Sequence, residues 1–266
     1  MRFALLLTAS LAGPAAAAEP IGTCRFDPSR LSFAGSPVQQ ARCLLQLGDQ
    51  PLPAPLQALL RRGGRPTDAH LARALTALPE PYASYARQQQ DRPASRTATG
   101  APLAYFVIHD TSWPRVDGEF PSALDGEPRI NSFRYYVQAE PVAHVFVNRS
   151  GELWAAYDVA VPWRATKLES FVVGTTSRGR FYHVELVQPR RAWPNQTWVA
   201  PEPGFSAAQY RRLAALYVYA SARSGRWLIP AFHSAIDAGI PEAHDDPQNF
   251  DLVAFARELQ AIVYPQ

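Results

Sequence analysis

Four ionisable side chains lie at or near the ends of apolar segments in the part of the sequence that begins at residue 101. His109 ends the run AYFVIH, His233 lies in AFHSAID, and Asp246 lies in HDDP. Two imidazoles and a carboxylate form a three-ligand set for zinc that leaves one position open for water or a substrate carbonyl. Glu185, in the apolar segment FYHVELV, is a candidate general base, because apolar surroundings raise the pKa of a carboxyl group toward the working range of a base.

Spacing alone does not decide this chemistry. No compact HExxH-type zinc motif is present, and the three candidate ligands are widely separated in the sequence. A single histidine on a strand is more often a structural residue than a ligand. Glu185 could instead be an exposed residue on the solvent face of its strand. The elements that carry these residues therefore determine whether they can meet.

Strands and helices alternate over residues 101–266, which predicts an α/β fold with a mixed central β-sheet flanked by helices. His109 would end a buried strand over residues 104–109, and Glu185 would lie in a strand over residues 181–187. A short strand over residues 227–229 would precede His233. Further predicted elements are a hairpin of residues 142–147 and 152–157 around the turn NRSG, a helix over 206–224 that begins with a capping box and stops at Gly225, and a closing helix over 251–263.

The region before residue 101 has a different pattern, with short helices and no predicted strands. Short helical segments are predicted over residues 38–47, 53–62 and 68–78, and they are separated by Pro and Gly. Residues 88–100 are polar and are predicted to be a linker. We therefore expect three parts: a signal peptide over residues 1–18, a small helical N-terminal region with its linker over 19–100, and a catalytic domain over 101–266.

The first 18 residues, MRFALLLTASLAGPAAAA, have the organisation of a secretory signal peptide. A basic residue precedes a short apolar run, and small residues end at Ala18, where cleavage is expected. This predicts a periplasmic or secreted protein. Thr23 before Cys24 disfavours a lipoprotein, and no later segment has the ~18 consecutive apolar residues of a membrane-spanning helix, so no stable membrane insertion is expected.

Export would place the two cysteines in an oxidising compartment. There Cys24 and Cys43 can form a disulfide, which we favour over the alternative of two free buried thiols.

Composition excludes two classes of protein. With 47% hydrophobic residues the chain can build a core and is not disordered, and a net charge of +3 without a basic stripe disfavours a nucleic-acid partner.

Four strings, VIHDT, VAHVFVNRSGELW, FYHVELVQP and HSAID…HDDPQNFD, together resemble the zinc-dependent N-acetylmuramoyl-L-alanine amidases of the type 2 family. The resemblance covers residues 101–266, in the order of the family. This family shares its fold with the peptidoglycan recognition proteins. It cleaves the amide that joins the lactyl group of N-acetylmuramic acid to L-alanine of the stem peptide, so the resemblance implies Zn²⁺ as cofactor and peptidoglycan or a muropeptide as substrate.

The resemblance also implies roles for single residues. His109, His233 and Asp246 match the three zinc ligands, and Glu185 matches the catalytic glutamate that moves the proton from water to the leaving amine. His144 matches a histidine of the family that does not bind metal, so a packed core residue is expected there.

The sequence departs from the family pattern around the third ligand. His244 stands where the family usually has a lysine that stabilises the oxyanion, and a histidine could donate the same hydrogen bond. The loop is also longer, which leaves Asp245 as a rival to Asp246, but we favour Asp246 because Pro247 follows it. Arg164 is either a contact for an acidic group of the stem peptide or an exposed surface residue. His183 shares a sheet face with Glu185 and either lies at the site or packs beside it.

The sequence leaves two other functions open. The chain could be a non-catalytic peptidoglycan-binding module of the same fold, although such modules usually lack one metal ligand. It could also be an exported zinc amidase that acts on a different acyl-peptide.

Overall fold

The structure is a computed structural model, and it describes residues 24–192 and 197–265. The predicted signal peptide lies outside the described residues. Among the residues that are described, no helix is long and apolar enough to cross a bilayer.

The N-terminal part combines a small hairpin with four helices. Its elements are β1 (Phe26–Asp27), β2 (Ser32–Phe33), α1 (Pro37–Leu44), α2 (Ala54–Arg62), α3 (Asp68–Ala77) and α4 (Tyr82–Gln89). The first three helices lie where the sequence predicts them, while α4 was not predicted. The predicted disulfide between Cys24 and Cys43 is present and joins the start of the described chain to α1.

The remaining elements alternate between strands and helices. They are β3 (Tyr105–Asp110), β4 (Arg115–Val116), α5 (Pro128–Asn131), α6 (Arg134–Val137), β5 (Val145–Val147), β6 (Leu153–Ala155), β7 (Phe181–Leu186), β8 (Arg190–Ala192), β9 (Trp198–Val199), α7 (Ala207–Ser224), β10 (Ile229–Phe232), α8 (His233–Ile236) and α9 (Leu252–Val263).

Five of the strands form the central sheet in the order β10-β3-β7-β5-β6. The first four run parallel, and β6 is antiparallel to β5. Helices lie against the sheet, so the predicted mixed α/β architecture is confirmed. In the register of β3 and β7, His109 is the neighbour of Glu185, which places both side chains on the same face of the sheet.

Both faces of the sheet are covered. On one face, the ring of Phe106 packs edge-on against Tyr217 of α7, with 5.3 Å between ring centroids. On the other face, the hydroxyl of Tyr105 donates to Gln40 of α1 and accepts a hydrogen bond from the backbone amide of Phe33. The N-terminal helices therefore share one continuous apolar core with the sheet.

The predicted linker over residues 88–100 is hydrogen-bonded to the rest of the chain. The backbone amide of Ala94 donates to the carbonyl of Arg223, and that of Ser95 donates to the carbonyl of Val159. The division of the chain at residue 100 remains a prediction.

Local sequence signals agree with the observed helix ends. Ser206 and Gln209 form the predicted capping box of α7, and Gly225 ends the helix in the left-handed conformation. Three strands differ most from the prediction. The hairpin strands are shorter, with β5 over Val145–Val147 and β6 over Leu153–Ala155. The strand β10 covers Ile229–Phe232 instead of residues 227–229. The run contains Pro230, which is tolerated because β10 lies at the edge of the sheet, where one side of the strand needs no ladder partner.

Candidate metal centre

The sheet brings the candidate ligands together at the carboxyl ends of its strands, which we call this edge of the sheet below. His109 lies near the carboxyl end of β3, Glu185 near that of β7, and His233 begins α8 directly after β10. Because these three strands are parallel neighbours, their carboxyl ends meet at the same place. Asp246 joins them from the loop before α9. Since Glu185 is only 6% exposed, the alternative that it lies on a solvent face is wrong.

Three ligand atoms converge at this edge. The Nδ1 atoms of His109 and His233 are 3.0 Å apart. The Asp246 carboxylate lies 3.0 Å from Nδ1 of His233 and 3.6 Å from Nδ1 of His109. All three side chains are buried, and their ligand atoms lie within 4.8 Å of one another. Such a group could hold a metal ion.

Asp237 sets the orientation of His233. Its Oδ2 lies 2.8 Å from Nε2 of His233, and its two oxygens accept hydrogen bonds from the backbone amides of Lys167 and Leu168. Because the carboxylate is an acceptor, Nε2 of His233 carries a proton, and Nδ1 is the nitrogen that faces the cluster. Carboxylates behind metal-binding histidines commonly act in this way. Sequence reasoning missed Asp237, although its spacing of four residues from His233 on a helix was a usable signal.

The donor set fits zinc. Each histidine has its Nε2 engaged by a neighbour, so two Nδ1 atoms face each other at 3.0 Å beside a carboxylate. Three ligand atoms this close together can share either a proton or a metal ion. Two imidazoles and one carboxylate are ligands that zinc binds, and three protein ligands leave a coordination position free.

The protonation of the cluster follows from burial and its close charges. Burial and the charge of His233 lower the pKa of His109 to about 3. For His233, burial opposes the charged form, but hydrogen bonds and charges from Asp237 and Asp246 outweigh it and raise the pKa to about 10. For Asp246, burial is outweighed by the histidines around it, and its pKa falls well below the usual range. One positive charge thus belongs in this cluster, and a metal ion that supplies it would displace a proton.

Glu185 lies beside the cluster, and its carboxyl group is buried. Its Oε1 is 4.0 Å from Nδ1 of His109, and its buried Oε2 has no hydrogen-bond partner in the described structure. Burial, followed by the charges of Asp246 and Asp110, raises its pKa well above the ordinary value. A raised pKa is the direction expected for a general base.

An open cleft of about 810 Å³ leads from solvent to this edge of the sheet. Glu185, His233 and Asp246 line its inner part. Its walls include Glu140, Trp163, Arg164, Lys167, Phe171 and His244. The cluster is therefore accessible to a molecule larger than water.

The structure separates the two aspartates that the sequence left as rivals. Asp246 is buried in the cluster, whereas the Asp245 side chain is 71% exposed and lies 3.9 Å from Arg190. His244 lies at the rim, with its ring centroid 4.6 Å from that of His233 and its Nδ1 3.6 Å from Asp246 Oδ1. His244 can therefore reach a group that sits above the cluster.

The structure also shows the surroundings of Arg164, His144 and His183. Arg164 is exposed, lies on the cleft wall and donates to the hydroxyl of Ser170. His144 is completely buried, accepts a hydrogen bond from the backbone amide of His183 and contacts the carbonyl of Val161, as a packed core residue does. His183 lies at the site, with its Nδ1 3.0 Å from Nε2 of His109.

No protein-family model matches this sequence, and no curated protein does. A solved structure described as a crystal structure of a Se-Met AmpD derivative is similar over 62% of this chain and 89% of that chain. The two are 16% identical and superpose with a TM-score of 0.31, a likeness too low to carry an argument.

Proposed function

We propose that this protein is a zinc-dependent amidase that hydrolyses the amide between the lactyl group of N-acetylmuramic acid and L-alanine of the peptidoglycan stem peptide. The observation that carries the proposal is the buried cluster of His109, His233 and Asp246 beside Glu185 at the inner end of an open cleft. The choice of substrate is supported by the order of the four sequence motifs that resemble the type 2 amidases.

The residues divide the chemistry between them. Zinc held by His109, His233 and Asp246 would supply Lewis acidity, which acidifies water and polarises an amide carbonyl. Glu185 takes a proton from the water while the oxygen of that water attacks the carbonyl carbon. When the carbon–nitrogen bond breaks, Glu185 returns that proton to the nitrogen of the leaving L-alanine. Exclusion of water from Glu185 favours its neutral form after the first transfer.

His244 is proposed to donate a hydrogen bond to the oxyanion that forms at the carbonyl oxygen, in place of the lysine of the family. We expect His244→Ala to lower kcat about 10- to 100-fold, because one donor is lost while the metal ligands and Glu185 remain. Steady-state kinetics on a muropeptide measure the effect, and His244→Lys should retain more activity than His244→Ala. Equal kcat in wild type and His244→Ala would exclude this role.

The function itself is tested by product analysis. Purified protein is incubated with a muropeptide as prepared, after removal of metal with a chelator, and after zinc is restored. Mass spectrometry should detect lactyl-glycan and free stem peptide in the first and third samples only. Cleavage that persists without metal would contradict the proposal.

A non-catalytic peptidoglycan-binding module is the second candidate, and the replacement of the family's lysine by His244 is the observation that favours it. That function predicts intact muropeptide with measurable binding. Hydrolysis of other acyl-peptides with no cleavage of muropeptide would support the third candidate, an amidase with a different substrate.

We also propose export to the periplasm or out of the cell. The disulfide between Cys24 and Cys43 supports this location, because such bonds persist in oxidising compartments. N-terminal sequencing of the exported protein should find cleavage near Ala18. An exported chain that keeps its first 18 residues would contradict the predicted signal peptide.

A further inference from the structure

We propose that Glu169 and His183 are positioning residues that fix the tautomer of His109, so that the Nδ1 lone pair of His109 faces the metal. The proposal rests on the proposed metal site. It concerns two buried side chains that the reaction described above does not use, and it begins at the carboxylate of Glu169.

Glu169 presents an oxygen that can only accept. The residue lies in the helical turn Leu168–Val172 and is completely buried. Its Oε2 accepts hydrogen bonds from the backbone amides of Ala165 and Thr166. The hydroxyl of Thr166 accepts from the backbone amide of Glu169, so its own proton is free to be donated to Oε2 at 3.0 Å. Three donors therefore hold this oxygen in place.

His183 lies between Glu169 and His109, and its contact with Glu169 determines which of its nitrogens carries the proton. Its Nε2 lies 3.1 Å from Oε2 of Glu169, and within the described residues it has no hydrogen-bond partner of its own. The contact does not have hydrogen-bond geometry, but an oxygen that only accepts, at 3.1 Å, favours the tautomer with the proton on Nε2 of His183. A neutral imidazole has one donor and one acceptor, and Nδ1 of His183 is then the acceptor.

The tautomer of His183 determines the tautomer of His109 through the contact at Nε2 of His109. This atom lies 3.0 Å from Nδ1 of His183, so it must donate. Nδ1 of His109 is left with its lone pair, directed toward His233 and Asp246. In the opposite tautomer, a proton on Nδ1 would occupy the space where the metal is proposed to bind.

The two histidines of the cluster are thus oriented by carboxylates in different ways. Asp237 contacts His233 directly, whereas Glu169 acts on His109 through His183. Burying the carboxyl group of Glu169 and the ring of His183 costs stability that apolar side chains would not cost. Orientation of a metal ligand is a function that accounts for this cost.

The test measures zinc affinity by competition with a chromophoric chelator, which requires no substrate. Glu169→Met removes the accepting oxygen and keeps a similar length, and we expect it to weaken zinc binding about 10- to 100-fold. Glu169→Gln keeps an oxygen within reach of the same donors and should lose less. Asp158→Asn is the matched control, because Asp158 is a largely buried carboxylate that pairs with Arg223, away from the cluster.

A second readout reports the tautomer itself. Long-range ¹H–¹⁵N spectra of the metal-free wild type should show the His109 proton on Nε2, and Glu169→Met should show a mixture of tautomers. If Glu169→Met does not fold, the comparison of His183→Asn with His183→Phe takes its place. Asparagine keeps an acceptor near the position of Nδ1 and phenylalanine does not, so the phenylalanine variant should bind zinc more weakly.

The outcomes separate this inference from the proposed function. Wild-type zinc affinity and an unchanged His109 tautomer in Glu169→Met would overturn the inference, as would equal zinc affinity in the two His183 variants. A wild-type protein that binds no zinc, or a His233→Ala variant that binds zinc as tightly as wild type, would overturn the proposed metal site, and the inference with it.

Discussion

Replacing Glu185 with glutamine is expected to leave zinc binding intact and to lower amide hydrolysis about 10²- to 10⁴-fold. The side chain lies beside the cluster without being part of the ligand group, so its loss should spare the metal. Glutamine has nearly the same shape but cannot take a proton from water or return one to the leaving amine. Zinc content by mass spectrometry and kcat on a muropeptide measure the two effects in the same preparation.

Glu258→Gln provides the control for this experiment. Glu258 lies on α9 and pairs with Arg211, outside the cleft. Its replacement should change neither zinc content nor turnover. Turnover at the wild-type rate in Glu185→Gln would remove Glu185 from the mechanism. Loss of zinc in that variant would instead place Glu185 among the groups that hold the metal.

Replacing His233 with alanine is expected to abolish stoichiometric zinc binding and to reduce hydrolysis to background. The change removes the Nδ1 atom that lies about 3.0 Å from both other candidate ligand atoms. It also leaves two buried carboxylates, those of Asp237 and Asp246, without the imidazole between them, which should lower stability as well. Zinc content after gel filtration and the melting temperature are measured together.

His233→Gln separates the loss of a ligand from the loss of stability. Its amide can still donate to Asp237, so the fold should be better preserved while zinc binding is still lost. His70→Ala is the control histidine, because His70 lies on α3 and forms a capping box with Thr67. A folded His233→Ala or His233→Gln variant with full zinc content would show that His233 is not a ligand.

Much of the fold was predictable, because its signals are local. The capping box at Ser206 and the glycine stop at Gly225 defined α7, and the apolar runs defined β3 and β7. These signals act over about one helical turn or one strand. The strand over Ile229–Phe232 was shifted in the prediction, since Pro230 acts as a strand breaker until the strand is known to lie at the edge of the sheet.

The site was predictable only in part. Strand ends pointed to His109, Glu185 and His233, and the structure places the three together. Asp237 was detectable from its spacing to His233 but was missed. Glu169 had no sequence signal, because a single glutamate in the segment TKLESFVV matches no motif and a glutamate ordinarily faces solvent.

The sequence by itself determined which side chains are present for chemistry, the mixed α/β architecture and the pairing of the two cysteines. Each of these depends on residue type, local periodicity or a choice among few partners. Pro247 favoured Asp246 over Asp245, but only the tertiary structure shows that Asp246 enters the cluster while Asp245 points to solvent, and that Glu185 is buried. The tertiary structure also decided which nitrogen of each histidine faces the cluster. These properties depend on loop paths and on contacts between residues far apart in the chain, such as Glu169 and His183. Such contacts form only when the sheet and its connecting segments are assembled, so no local pattern records them.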